Sequence, residues 1–352
     1  MMFKRKNQLV GLDIGSSFIK VAELDSIKNE YVLKKFGISP IRPGTIIDGR
    51  IEDKRELAKQ ITALFDSQEI KTKNVAISTG GQAIVVKNIT VDKVDDEEMQ
   101  KNITAEAAQY IPYDINDVNI DFQVLGESEF YSEHLNVLLV AAKKELVAEY
   151  VDLISMAGLT PKVIDIDTFA LQNIFETLPV AERNNVFLLA DIGASKISLN
   201  ILKNGNSMLM RDNAAGVGHI YEEIAIKLNV DIQEAEYLFR NKFDRRDYDD
   251  QIEQICLDAI TLWCGEIQEV VNTFRSGASD DALQKVFLTG GGVFVEGFSE
   301  KLSSELDIPV EILSPFEGFD LDQNVFSSKF LEEVGPQASV ALGLALRQVD
   351  DK

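Results

Sequence analysis

The sequence predicts an α/β protein of two duplicated lobes, and three observations carry that expectation. Short apolar runs of strand length alternate with stretches of helical periodicity along the whole chain. The unit Val10-Gly-Leu-Asp-Ile-Gly-Ser-Ser17 returns as Leu189-Ala-Asp-Ile-Gly-Ala-Ser195, which matches Asp13 to Asp191, Gly15 to Gly193 and Leu24 to Leu202. The length, 352 residues, exceeds the size at which a single hydrophobic core stops growing.

Each element follows from its local pattern. Residues 9–14 read as a strand that ends in a turn, and 17–24 and 31–38 as two further strands. Leu57, Ile61, Leu64 and Phe65 fall at helical spacing and predict a helix over 53–66. A short strand over 75–78 closes at Gly80 and Gly81. The texture then changes. A strand over 85–91 precedes an acidic, Ala-rich helix over 95–110 that stops before Pro112. Strands over 120–125 and 135–142 lead into a helix over 144–157, closed by Gly158, and then a strand over 162–167. The block 85–163 reads as an α+β insert in the first lobe. That lobe is then 1–84, 164–184 and 335–352, and the second lobe is 185–334.

From residue 185 the opening pattern returns. Strands over 186–192 and 196–202 are followed by a hairpin turn at Asn204-Gly205. Helices are expected over 218–228, 232–241 and 251–276, with a charged loop at 244–250 before the last. A strand over 286–288 runs into Gly290, Gly291 and Gly292, and an apolar helix spans 337–348.

Composition narrows the function classes. No apolar run approaches the roughly 20 residues that span a bilayer, and the N-terminus lacks the apolar segment of a secretory signal, so a non-secreted protein without a membrane span is expected. Cys256 and Cys264 lie on one helical stretch about 12 Å apart, too far for a disulfide, as suits a reducing compartment. With 35 basic against 58 acidic residues the net charge is −23, a field that repels nucleic acid and anionic lipid. The cluster Lys4, Arg5 and Lys6 is the one local exception.

The chemistry sits in the turns. Asp13 ends a buried strand, and Gly15 lets the backbone approach a ligand closely. Ser16 and Ser17 then offer N–H groups and hydroxyls that can cradle phosphate oxygens. Asp13, itself anionic, is suited to hold Mg²⁺ through water rather than to touch phosphate. Lys20 can add a positive charge if it points to the same side. Asp191, Gly193, Ala194 and Ser195 repeat the arrangement from the other lobe, with Ala194 in place of Ser16. Two such turns facing each other would clamp a phosphate pair with Mg²⁺ between the aspartates. Gly290, Gly291 and Gly292 after a strand leave a flat backbone surface for a base. The turn that holds Gly216 and Gly218 precedes a helix whose N-terminus can meet phosphate. Glu236 can reach the ribose or base.

These residues resemble the actin/Hsp70/FtsA superfamily of ATPases. Residues 13–17 look like its first phosphate motif, 191–195 its second and 288–292 its adenosine motif, while 162–175 and 337–346 look like its two connecting elements. The resemblance implies an actin-like, ribonuclease H-like, two-lobed ATPase fold that takes ATP and Mg²⁺. It also implies that Asp167 stands where relatives orient a water, as a candidate general base.

Within the superfamily the closest likeness is to the PilM family of type IV pilus proteins, carried by 105–113 in the insert and by Val163-Ile-Asp-Ile-Asp-Thr-Phe-Ala-Leu171. That likeness implies that the insert is a 1C-type subdomain. It implies a groove that receives the cytoplasmic N-terminus of the inner-membrane protein PilN, and hence a cytoplasmic scaffold peripheral to the membrane in an assembly with PilN and PilO. Self-association is also permitted by the fold.

Two departures argue for ATP binding over rapid turnover. One is Ala194. The other is the helix pattern Ala235-Glu236, which has Phe239 where a basic residue is expected and Arg240 one position later. The competing readings are an FtsA-type division protein, which would end in a linker and an amphipathic helix, a small-molecule kinase of the same superfamily, and a scaffold that binds no nucleotide.

Overall fold

The computed structural model describes residues 9–27, 30–47, 49–81, 83–128, 131, 133–180, 185–241, 243–244, 246–277, 282–322 and 325–349. Lys4, Arg5 and Lys6 lie outside the described residues.

In chain order the first half runs β1 (Val10–Ile14), β2 (Phe18–Ile27), β3 (Glu30–Pro40), a short hairpin of β4 (Ile46–Ile47) and β5 (Arg50–Ile51), α1 (Lys54–Ser67), β6 (Asn74–Thr79), β7 (Ile84–Asp92), α2 (Asp96–Ala107), β8 (Val118–Glu127), β9 (His134–Lys143), α3 (Lys144–Met156), β10 (Thr160–Ile166) and α4 (Asp167–Phe175). The second half runs β11 (Val186–Ile192), β12 (Ile197–Lys203), β13 (Asn206–Asn213), α5 (Val217–Leu228), α6 (Ile232–Arg240), α7 (Asp249–Ser276), β14 (Leu283–Thr289), α8 (Phe298–Leu306), β15 (Val310–Ile312), β16 (Asp320–Leu321) and α9 (Ser328–Ala345).

The sequence repeat is a structural repeat. One sheet has the order β10-β6-β1-β2-β3, extended by β16, and the other has β15-β14-β11-β12-β13. In each, the first three strands form an antiparallel meander and the two later strands add parallel to the first. Parallel strands need a crossover connection. In the first sheet α1 supplies it, capped by Asp53, whose carboxylate accepts the Glu56 N–H at 2.9 Å, and burying Leu57, Ile61, Leu64 and Phe65.

Three cores organise the two lobes. The outer face of the first sheet packs on α1 and α3 through Leu12, Val21, Ile61 and Leu153. The outer face of the second sheet packs on α5, α7 and α8, with Trp263 and Phe298 edge-to-face at 5.3 Å between centroids. The third core lies between the sheets. There Leu171, Phe175, Phe187, Phe287, Phe316 and Ala341 fuse α4 and α9 to both lobes. Close approach in this layer depends on glycine: a Cβ on Gly343 would stand 1.8 Å from the Ala170 carbonyl oxygen, and one on Gly11 2.0 Å from that of Ala341.

A separate three-stranded sheet, β7-β9-β8, is covered on one face by α2 around Ile103, Val137 and Leu139. Residues 144–163, drawn into the insert by the sequence reading, pack instead on the first lobe. The helix α3 contributes Leu153 and Ile154 to the core under α1, and β10 pairs with β6. Hydrophobic periodicity identifies a buried face but not which neighbour covers it.

Two further differences concern helix ends. The helix expected over 95–110 stops at Ala107, and its last residues pass into a turn before Pro112. The last helix begins at Ser328, not near 337, and runs through Pro336. Its Ser327 cap accepts the Phe330 N–H, and the Pro336 carbonyl accepts the Gly290 N–H at 2.8 Å and the Thr289 hydroxyl.

Candidate functional site

The carboxyl ends of β1 and β11 face each other across a cleft of about 1350 Å³. Each strand has an aspartate as its penultimate residue and then turns through a glycine. The turns share the same bond: the Gly15 N–H donates to the Phe18 carbonyl at 3.0 Å, and the Gly193 N–H donates to the Lys196 carbonyl at 2.9 Å. A Cβ on Gly15 would come within 3.2 Å of the Lys20 ammonium and the Phe18 oxygen, and one on Gly193 within 3.0 Å of the Lys196 oxygen. The two turns touch at their tips, where the Ser16 and Ser195 hydroxyls are hydrogen-bonded at 2.7 Å. Ser17 and Ala194 line the cleft beside them.

Charge is concentrated on the cleft floor. Asp13 and Lys20 are register partners on β1 and β2, so their side chains share a face, and they form an ion pair at 2.9 Å. Burial raises the Asp13 carboxyl above its ordinary range even so, with Lys20 opposing. Asp191 makes no ion pair among the described residues, and burial pushes it up to about 6. Asp167, the first residue of α4, is different: burial alone would raise it, but the Lys196 ammonium at 2.5 Å outweighs that and holds it low. Lys196 reaches Asp212 of β13 at 3.4 Å as well, and these carboxylates hold it charged against the burial that favours the neutral form. Four aspartates therefore face two lysines.

The far end of the cleft is apolar and aromatic. Tyr221, Phe239, Leu257 and Phe294 line it with Gly290 and Gly291. Gly290 has φ +84°, and a Cβ there would strike the Asp191 carboxylate at 2.2 Å, so the residue must be glycine on both counts. Arg240 also lines this end and lies 5.2 Å from the Phe18 ring centroid.

Four residues singled out on sequence do not line the cleft. Gly216 and Gly218 serve packing: a Cβ on either would meet the Ala194 carbonyl oxygen, at 2.5 and 2.9 Å. The α5 N-terminus is likewise committed, because the Val217 and Gly218 N–H groups donate to the Gly193 and Ala194 carbonyls at 3.0 and 2.8 Å. Those two amides buttress the second turn and are not open to phosphate. Gly292 makes room for Ile192, whose side chain would lie 2.3 Å from an added Cβ. Glu236 meets the cleft only through Arg240, whose Nε donates to it at 3.0 Å.

The sequence reading missed Lys196, Asp212 and the role of Gly80 and Gly81. The Gly81 N–H donates to Asp212 at 2.7 Å, and a Cβ on Gly80 would stand 2.0 Å from the Lys196 ammonium. Lys196 directly follows the repeated Asp-Ile-Gly-Ala-Ser turn, which was a usable signal. Asp212 had none.

A family model described as type IV pilus assembly protein PilM matches residues 11–349. The chain belongs to the PilM family. PilM family membership sets aside the division-protein and sugar-kinase readings and agrees with the duplicated, actin-like topology. The chain is 29% identical to a chain solved in a PilM–PilN type IV pilus biogenesis complex, with a TM-score of 0.87 over 98% of this chain and 99% of that one. It also resembles the ethanolamine utilization protein EutJ from Carboxydothermus hydrogenoformans, at 15% identity and a TM-score of 0.56 over 96% of this chain and 89% of that one, a likeness of fold. No helix among the described residues of this PilM family member is long and apolar enough to cross a membrane.

Proposed function

We propose that this chain is the ATP-binding scaffold of a type IV pilus inner-membrane assembly complex, and that it receives the cytoplasmic N-terminal peptide of PilN. The observation that carries the proposal is the full-length match to a chain solved in a PilM–PilN complex. The nucleotide half of the reading rests on the paired turns. A Cβ would narrow their turns at Gly15 and Gly193, and at Gly290, beside the second turn, it would strike Asp191.

The donor set fits Mg²⁺ held through water. Among the described residues no group of three or more His, Cys, Asp or Glu side chains could hold a metal directly. The fitting groups are Asp13 and Asp191, the latter a carboxylate raised by burial and without an ion pair among the described residues, which a cation would stabilise. Bound Mg²⁺ supplies charge neutralisation for the phosphates. Ser16, Ser17, Ala194 and Ser195 offer backbone N–H groups and, at the serines, hydroxyls to phosphate, while Gly15 and Gly193, whose own N–H groups close the turns, leave it room. Lys20 holds Asp13 in place and offsets phosphate charge. Gly290, Gly291 and Arg240 flank the base, and Glu236 orients Arg240. Asp167 sits at the cleft floor at the position of the candidate general base, where it is paired with Lys196. The functional units are then the two duplicated lobes and the three-stranded insert over 84–143, with PilN taken by the insert side and PilO joined through PilN.

The test is a calorimetric titration with a synthetic peptide copying the PilN N-terminus of the same organism, with and without Mg-ATP. Saturable binding that is lost on mutating the insert supports the scaffold reading. Absence of binding in both conditions would remove it and leave only the nucleotide cleft.

A further inference from the structure

Lys196 belongs to no part of the proposed nucleotide cradle, yet it is the best-tethered cation in the cleft. Its ammonium lies 2.5 Å from Asp167 at the start of α4 and 3.4 Å from Asp212 on β13. The Asp212 carboxylate is held from the other side by the Gly81 N–H at 2.7 Å. The chain over the top is Gly80, where an added Cβ would stand 2.0 Å from the ammonium, 2.7 Å from the Asp167 oxygen and 3.1 Å from the Asp212 oxygen. Gly80 needs no left-handed backbone. Its missing side chain is a requirement of space, and the space is filled by this ion cluster. Four separate chain segments thus converge to hold one lysine on one carboxylate.

We propose that Lys196 is a positioning residue that locks Asp167 out of proton transfer, so that the cleft binds ATP and retains it. The inference rests on the nucleotide reading above. In hydrolysis the water oxygen bonds to the terminal phosphorus, the bridging P–O bond breaks with its electron pair leaving on the diphosphate, and the water proton passes to the Asp167 carboxylate. A carboxylate already accepting a charge-assisted hydrogen bond from an ammonium is a weaker base, and its Oδ2 is occupied. The other charged or titratable groups facing Asp167 are Lys20 on β2, Asp13 on β1, Asp191 on β11, Asp212 on β13 and Tyr150 on α3. Of these, Lys196 makes the closest contact. The lock also explains why the carboxylate beside it differs in kind from its neighbours: Asp13 and Asp191 are raised by burial, whereas Asp167 is held low.

Two variants open the lock by different means. Lys196→Met removes the charge while keeping the stem. Gly80→Ala keeps the charge and pushes the ammonium off Asp167, and the atoms it displaces are the far ends of side chains, so the fold survives it.

The experiment has two readouts on the full chain: the carboxyl-carbon NMR titration of Asp167 in the nucleotide-free protein, and Mg-ATP affinity with single-turnover hydrolysis. Both variants are expected to raise the Asp167 midpoint and to speed hydrolysis by at least about tenfold, part of the roughly 10²–10⁴-fold that a positioned base contributes. Lys196→Met alone should also weaken ATP binding several-fold, because a cation is lost from the floor, so rate and affinity move in opposite directions. The double variant Asp167→Asn/Lys196→Met should lose the gain. An unmoved Asp167 midpoint, or intact ATP binding with no gain in rate, overturns the lock alone. Wild-type protein that fails to bind Mg-ATP overturns the nucleotide reading and the lock with it.

Discussion

At the scale of single residues, the cleft floor trades stability for ligand. The Asp191 carboxyl is pushed up to about 6 by burial, against an ordinary value of 3.8. A carboxylate raised in the folded state makes folding less favourable as the pH rises from about 4, where the unfolded chain ionises first, to about 6, where the folded group ionises too. Above that the penalty is constant. At about 1.4 kcal/mol per pH unit it amounts to about 3 kcal/mol at most, since the group borders a wet cleft. Asp191→Asn is therefore expected to be more stable than wild type in urea melts at pH 7.5, by about 1–3 kcal/mol, with the difference shrinking towards pH 4, and to lose Mg-ATP binding. A variant no more stable at pH 7.5 than at pH 4 would remove burial as the cause. The turns that present Asp13 and Asp191 were legible because they repeat. The Lys196 cluster was not, because its members lie far apart in sequence and are joined only by the fold. Gly80 and Gly81 stood out as glycines at a strand end, but a glycine's sequence context does not say whether it serves backbone freedom or a neighbour's side chain.

At the scale of elements, the two lobes are joined by helices α4 and α9, and their contact is set by backbone rather than by side chains. The Gly343 position meets the Ala170 carbonyl, and Gly11 on β1 meets that of Ala341, so neither clash can be relieved by a rotamer change. Gly343→Val is expected to cost about 3 kcal/mol or more, the upper end of overpacking penalties, and to lower the thermal midpoint by roughly 4 °C or more. Circular dichroism melts check it. A loss under about 1 kcal/mol would mean that the helices separate easily. The same layer shows what the pattern of apolar residues leaves open. Amphipathic α1 was read correctly because it buries one face with the helical period, and the β11–β12 hairpin because its apolar runs, buried on both faces, have strand length and close at a turn. The first half of α9 was not, since Pro336 reads as a stop. Proline costs the Glu332 carbonyl its helical N–H partner, and Glu332 is exposed to water, while the Pro336 carbonyl is itself taken up by Gly290 and Thr289 from the other lobe. The helix α3 and the first part of strand β10 were given to the insert because they follow it in sequence, whereas their apolar faces fit the first lobe.

At the scale of the whole molecule, Asn88 joins the insert to the second lobe. Asn88 on β7 donates through Nδ2 to the carbonyls of Ser207 and Met208 on β13, at 3.0 and 3.1 Å. The same hairpin is anchored to α4, where Gln172 donates to the Gly205 carbonyl at 2.7 Å and accepts from the Ser207 hydroxyl at 2.9 Å. It also carries Asp212, and β12 follows the phosphate turn at 193–195 directly. A ligand that shifts this turn must move β12 and β13, and Asn88 is where that movement meets the insert. Linkage then requires a PilN peptide bound at the insert side and Mg-ATP bound in the cleft to alter each other's affinity by the same factor, on the order of 5-fold or more for a typical coupling. Asn88→Ala should leave Mg-ATP affinity of the free protein within about 2-fold of wild type, because the residue lies outside the cleft lining. The factor by which Mg-ATP changes PilN-peptide affinity should fall towards one. Paired titrations of wild type and Asn88→Ala, each with and without the second ligand, close the cycle. A coupling factor that survives the substitution would route the communication through α4 and the interlobe core instead, where Phe175, Phe187 and Phe287 pack ring against ring.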